Sequence, residues 1–238
     1  MIQAIIWDYD GTLVDTHIKN LNVTRKIIKQ ITGIESKNLS ALANVNNYRI
    51  VTNKSENWRT LYRDEFNLNE LDIDKAGKLW SEFQLEDETE APFYDGIVNV
   101  IQTLGNYPHG IVSQNSRENI FQFLQKSKML KYFKCILGYE EVASSKQKPE
   151  PDGLMQCISE LVPLNTGSVI YIGDHETDIR CAINANKVHN EKGSKLKIIS
   201  IGVFYDADTD ISNWKVQPDF AVDRIEDIIE IIKTVELI

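Results

Sequence analysis

Cysteine is scarce in this 238-residue chain: Cys135, Cys157 and Cys181 are widely spaced and form no Cys-x-x-Cys pair. That spacing excludes a disulfide framework and a thiolate metal site, and it fits a reducing compartment. An excess of positive charge is missing too. At a formal net charge of −9 the chain lacks the basic surface of a general nucleic-acid binder, although a few placed cations and backbone N–H groups suffice to hold an anion. No apolar run is long enough to span a membrane. The opening Met1-Ile2-Gln3-Ala4-Ile5-Ile6-Trp7 has no basic start and is cut short by Asp8, unlike a signal peptide. The expectation is a cytoplasmic protein with neither a membrane nor a nucleic acid as partner.

What is present suits one large domain, or one domain carrying an insertion, with 42% hydrophobic and 26% charged residues. Residues 2–7 form an apolar run ending in Asp8, as a buried parallel strand does. Residues 110–112, 135–137, 169–172 and 198–201 have the same character. Between them lie helical stripes: Ile97, Val100, Ile101 and Leu104; Ile120, Phe121 and Leu124; Leu154, Cys157, Ile158 and Leu161. Ile225, Ile228, Ile229 and Ile232 form a last one, and Pro151 suits a first helical position. This alternation predicts a doubly wound α/β fold with a parallel sheet.

Residues 16–92 break the alternation. Ile18, Leu21, Arg25, Ile28 and Ile31 follow helical spacing up to Gly33, as do Trp58, Leu61, Tyr62 and Phe66, then Leu79, Trp80 and Phe83. No strand is evident there, so an all-helical cap domain over 16–92 is expected, inserted in a core of 1–15 and 93–238. The polar stretch from Lys187 to Lys197 reads as an exposed loop before the last strand.

The chemistry concentrates at strand ends, where open α/β sheets bind ligands. Asp8-Tyr9-Asp10-Gly11-Thr12 places two carboxylates and a turn-forming glycine directly after the first strand. A carboxylate there can attack phosphorus, and a second can protonate a leaving oxygen and later deprotonate water. Gly173-Asp174-His175-Glu176-Thr177-Asp178 brings further carboxylates to another strand end. Such carboxylates repel one another unless a cation neutralises them, and oxygen ligands without a His or Cys set point to Mg²⁺. His175 itself reads as a solvent-side or helix-start residue. Lys148, on a Pro-flanked segment, and Ser113, at a third strand end, offer a cation and donors for phosphoryl oxygens.

These residues in this order resemble the haloacid dehalogenase-like hydrolases. Asp8-Tyr9-Asp10-Gly11-Thr12-Leu13-Val14-Asp15 is similar to the family's first motif, Ser113 to the second, Lys148-Pro149 to the third, and Gly173-Asp174 with Asp178 to the fourth. The likeness extends to Asp219-Phe220-Ala221-Val222 and is strongest to the phosphoglycolate phosphatase-like branch, with a helical cap on a Rossmann-like core. It implies that Asp8 is nucleophile and Mg²⁺ ligand, that Asp10 is general acid/base and ligates through its carbonyl, and that Asp174 completes the ligand set. Asp178 would support the metal or Lys148, while Ser113 and Lys148 would hold the phosphoryl group. The implied activity is Mg²⁺-dependent hydrolysis of a small phosphorylated metabolite.

Two departures stand out. Ser113 is followed by Gln114 and only then Asn115, whereas relatives usually place Asn directly after the Ser/Thr. The segment from Leu42 to Arg49 has no glycine where relatives often carry a Gly-containing specificity loop, which leaves Arg49 as a candidate substrate contact. Two alternatives stay open. A mutase of the β-phosphoglucomutase type would carry a His about ten residues after Asp10, but position 20 is Asn20 and His17 falls on another helical face. A non-catalytic phosphate-ligand-binding protein on the same scaffold would be free to lose part of the acidic set, which is intact here.

Overall fold

The computed structural model describes residues 1–205 and 211–237. In chain order, β1 (Ile2–Trp7) is followed by four helices, α1 (His17–Thr32), α2 (Val45–Lys54), α3 (Trp58–Asp64) and α4 (Glu70–Glu86). Strands and helices then alternate: α5 (Ile97–Thr103), β2 (His109–Val112), α6 (Arg117–Lys126), β3 (Phe133–Leu137), α7 (Asp152–Leu161) and β4 (Thr166–Gly173). The described chain ends with α8 (Glu176–Glu191), β5 (Lys195–Val203), β6 (Phe220–Val222) and α9 (Asp227–Glu236). Two compact units result, Met1–Val14 with Phe93–Ile238, and Asp15–Pro92.

The first unit holds a parallel sheet in the order β3-β2-β1-β4-β5-β6. β1 is almost wholly buried because both faces are covered, which is why its sequence is continuously apolar rather than alternating. Ala4 and Ile6 share a core with Val169, Tyr171 and Ile198 from neighbouring strands and with Leu154, Cys157, Cys181 and Ala185 from α7 and α8. The chain runs outward on one side of β1 through β2 and β3, then returns to β1's other side as β4. The carboxyl ends of β1 and β4 therefore flank the switch point, where a doubly wound sheet opens a crevice.

The second unit is the helical cap region. Asn44, Asn57 and Asn69 each accept a backbone N–H in the first turn of α2, α3 and α4, so side chains supply what the helix starts lack. Its core joins Leu21, Ile27 and Ile28 of α1 to Tyr48, Leu61, Tyr62 and Ile73. Tyr62 packs edge-on to both Trp58 and Phe66.

Two local readings change. The stretch from Lys187 to Lys197 is not a loop: 187–191 complete α8, with His189 buried, and 195–197 begin β5. Pro151 is the N-cap of α7, one position before the first helical residue. The segment around Arg49, where no glycine stands, is helix α2, started by the Asn44 cap.

Candidate active site

The turn after β1 is built to receive another strand's carboxylate. Asp8 N–H donates to the Ile172 carbonyl at 2.8 Å, which ties the end of β1 to the end of β4. The carbonyl of Tyr9 then accepts from both Leu13 and Val14, folding the chain back sharply. Gly11 sits there at φ 74°, and a Cβ on it would come within 2.1 Å of Asp174 Oδ2. Only glycine meets both demands. Thr12 Oγ1 donates to Asp174 Oδ1 at 3.1 Å, so this turn wraps the carboxylate arriving from β4.

Lys148 bridges two of the acids. Its Nζ lies 2.6 Å from Asp8 Oδ1 and 2.7 Å from Asp178 Oδ1, with all three side chains buried. Asp178 gains further donors, Tyr171 Oη at 3.0 Å on Oδ1 and His175 N–H at 3.2 Å on Oδ2. One oxygen from each of Asp8, Asp174 and Asp178 falls within 4.8 Å of the others.

Burial pushes Asp8 up to about 7; Lys148 opposes the rise, and Asp178 and Asp10 add to it. Burial likewise pushes Asp174 well above the carboxylate range, reinforced by Asp8 and Asp178. Burial alone would loosen the proton on Lys148, but Asp178 and Asp8 outweigh it and hold the ammonium above its usual range. Three crowded carboxylates against one ammonium form a group that lacks positive charge. An oxygen-only donor set of this kind fits a hard divalent cation, so the three aspartates can coordinate one.

The third strand end contributes a loop. Ser113 N–H donates to Leu137 O at 3.0 Å, continuing the β2–β3 ladder, and Ser113 Oγ accepts from Asn115 N–H at 3.1 Å. The interposed Gln114 reaches the Lys148 carbonyl at 3.1 Å. Asn115 Nδ2 donates to Asp10 Oδ1 at 3.0 Å. Thus Asp8, Lys148, Asp174 and Asp178 meet at the carboxyl edge of the sheet, and the Ser113–Asn115 loop lies beside Lys148. Asp10's carboxyl joins it through Asn115 and lies outside the three-carboxylate cluster. Arg49 belongs to the cap unit, on α2, where its charge helps hold the Asp15 carboxyl low behind the larger effect of the His17 hydrogen bond. His175 is the N-cap of α8.

Sequence reasoning passed over Thr12, Asn115 and Tyr171 as members of this site. Thr12 stood inside the first motif, and the Tyr171 hydroxyl was the one polar group in the apolar run 169–172. For Gln114 no local signal existed, because its partner is a backbone carbonyl distant in sequence.

Fold and site together define a hydrolase of the aspartate-cluster type, and comparison with known proteins agrees. The haloacid dehalogenase-like hydrolase family model matches residues 5–188, so the chain belongs to that family. Among curated proteins it is similar to the pyrophosphatase PpaX of Listeria monocytogenes, 25% identical over 241 residues that cover 99% of this chain and 98% of that protein. It is also similar to the pyrophosphatase PpaX of Oceanobacillus iheyensis, 26% identical over 248 residues with 97% of each covered. Among solved structures, a haloacid dehalogenase-like family hydrolase from Streptococcus pneumoniae superimposes with a TM-score of 0.72 at 18% identity, covering 97% of this chain and 98% of that one. A predicted phosphoglycolate phosphatase from Haemophilus somnus gives 0.72 at 17% identity, with the same coverage of each chain. These structures share the fold. Among the described residues, no helix is long and apolar enough to cross a membrane.

Proposed function

We propose that the chain is a Mg²⁺-dependent phosphatase acting on a small phosphorylated metabolite through an aspartyl-phosphate on Asp8. The observation that carries this reading is the buried meeting of Asp8 with Lys148 at 2.6 Å, beside the Asp174 and Asp178 oxygens. Asp8, Asp174 and the Asp10 carbonyl would hold the cation, while Asp178, already engaged by Lys148, Tyr171 and His175, supports Lys148. When bound, Mg²⁺ would neutralise developing charge on the phosphoryl oxygens.

An Asp8 carboxylate oxygen attacks phosphorus as the bond to the leaving oxygen breaks. Asp10 gives that oxygen its proton. Asp10, now ionised, takes a proton from water, whose oxygen attacks phosphorus and breaks the bond to Asp8. Inorganic phosphate leaves, and both aspartates return to their starting states. Lys148 and the Ser113 hydroxyl hold the equatorial oxygens in place through both steps; the Ser113 backbone N–H, expected as a donor, is taken up by the Leu137 carbonyl. The same steps serve a phosphoanhydride, and because similar proteins bear the name pyrophosphatase, pyrophosphate is among the first substrates to try, with phosphoglycolate and sugar phosphates.

The test is phosphate release from such a panel and from para-nitrophenyl phosphate, with Mg²⁺ and with EDTA. EDTA should abolish turnover, and Asp8→Asn should lower kcat by at least about a thousandfold while the protein stays folded. Turnover that survives either change contradicts the mechanism. Folded protein that binds phosphate esters but hydrolyses none would favour a binding protein, and isomerisation of a sugar phosphate without phosphate release would favour a mutase.

A further inference from the structure

We infer that Asn115 is a positioning residue that fixes which oxygen of Asp10 carries the catalytic proton. The inference rests on the acid/base role proposed for Asp10.

The orientation of the Asn115 amide is set by its neighbours. Its Oδ1 accepts from Ser116 N–H at 2.7 Å and from Asn119 Nδ2 at 3.3 Å. Turning the amide over would point its NH₂ at the Ser116 N–H, donor against donor. Nδ2 must therefore face Asp10, and it donates to Asp10 Oδ1 at 3.0 Å. Asn115 is 3% exposed, so water does not replace these bonds.

The backbone beneath is held equally firmly. Asn115 N–H donates to Ser113 Oγ, and Asn115 O accepts from Tyr139 N–H at 3.0 Å. That last bond needs the end of β3 to come very close. Gly138 permits it, since a Cβ there would lie 2.8 Å from Asn115 O and 2.3 Å from Arg117 N. A donor locked in this way cannot follow Asp10 if the carboxyl rotates.

The chemical consequence follows from what a carboxyl can do. With an N–H on Oδ1, a neutral Asp10 keeps Oδ1 as its carbonyl oxygen and carries its proton on Oδ2. As the bond from phosphorus to the leaving oxygen breaks, its electron pair stays on that oxygen, which takes the Oδ2 proton. The negative charge left on the carboxylate is then stabilised at Oδ1 by the Asn115 donor. The side-chain bonds of Asn115 run to Asp10, Ser116 and Asn119. Asn115 acts only through Asp10.

The experiment compares two nearly isosteric substrates, para-nitrophenyl phosphate and phenyl phosphate, in kcat/KM. The first leaves readily without a proton, whereas the second depends more strongly on acid assistance. Asp10→Asn, Asn115→Ala and the isosteric Asn115→Asp are measured beside the wild type, with melting temperature as a control for folding. Asn115→Asp keeps the acceptor for Ser116 and Asn119 and puts a second carboxyl where the amide donor to Asp10 stood, so it serves should the Ala variant not fold. We expect each variant to lose about tenfold more activity on phenyl than on para-nitrophenyl phosphate. Asn115 variants that lose both substrates equally, or neither, while Asp10→Asn shows the selective loss, would overturn the inference and leave the proposed function standing. Absence of selective loss in Asp10→Asn itself would instead remove the role of Asp10, and the inference with it.

Discussion

The two compact units handle charge in opposite ways. In the sheet unit Asp8, Lys148 and Asp178 are buried and drawn from three strand ends and loops far apart in sequence. In the helical unit most ion pairs lie at the surface, as Arg59 with Glu70 and Asp74 and Arg63 with Glu70 do; Asp87 is buried but pairs with a half-exposed Lys26 at 2.8 Å. The interior of the helical unit is mainly aliphatic and aromatic, with Thr24 and Gln84 buried among hydrogen-bond partners and, among the described residues, no buried lysine. Buried ions cost several kcal/mol each to dehydrate and repay it only through close pairing, so their presence marks a site rather than a scaffold. Surface pairs carry little energy and can change freely. The buried charges of the sheet unit meet at the candidate site, while the exposed pairs of the cap serve solubility and helix pairing.

The largest effect expected from this contrast is at Lys148. Lys148→Met leaves Asp8 and Asp178 without their shared cation in a buried setting, and it should destabilise the protein by about 3–5 kcal/mol at pH 8, measured by urea unfolding in EDTA. A loss below about 1 kcal/mol would mean that the buried network behaves like the surface pairs, and the contrast would fail.

Next comes a pH effect at the residue beside Asp8. Trp7 Nε1–H donates to His109 Nδ1 at 3.0 Å, and His109 Nε2 lies 3.0 Å from the Leu104 carbonyl. The neutral ring with its proton on Nε2 satisfies both partners; a second proton on Nδ1 would face the indole N–H. Burial, only partly offset by the Leu104 bond, lowers His109 to about 4 from 6.5. The unfolded chain therefore binds more protons between these values. The stability contributed by the neutral ring is complete above pH 6.5 and is lost as pH falls toward 4, amounting to about 3 kcal/mol. Asp8 has the opposite sign: its raised value favours the fold at low pH, and that contribution fades as pH rises from 3.8 toward about 7. Comparing unfolding free energies at pH 7 and pH 4.5 in wild type and His109→Gln isolates the histidine, because Asp8 is common to both. The variant should be less stable at pH 7 and show the flatter loss on acidification. Parallel losses in the two proteins would show that His109 titrates normally.

Legibility in the sequence followed burial on two faces. β1 and β4 were visible because both their faces are covered, which leaves continuous apolar runs. β6 spans only Phe220–Val222 with Ala221 exposed, too short a run to declare itself. The end of α8 was misread because Lys187, Asn190 and Glu191 face solvent while His189 alone turns inward. α2 buries only Tyr48, so it shows no apolar stripe, and its Asn44 cap was the one usable signal. Within the site, acids and a lysine at strand ends carry their chemistry in their residue types. Asn115 and Tyr171 do not, since an amide or a hydroxyl becomes part of the network only when the loop after β2 or the packing of β4 against α8 aims it at a carboxylate.

The smallest effect belongs to the cap surface. Arg59 joins Glu70 at 2.8 Å and Asp74 at 2.9 Å, and its guanidinium carbon lies 5.2 Å from the centroid of the Trp58 ring. The geometry looks strong, yet both acids are more than half exposed, so water and salt screen most of the attraction. Arg59→Ala should lower the melting temperature by about 4 °C at most. Part of that shift should persist in 1 M salt, because contact with the Trp58 face depends less on screening than the ion pairs do. Arg59→Lys tests the division: it keeps the charge but not the planar fork, and should recover less than half of the loss if ring contact matters more than charge. A shift as large as that of Lys148→Met would show that the cap, too, depends on its charges for folding.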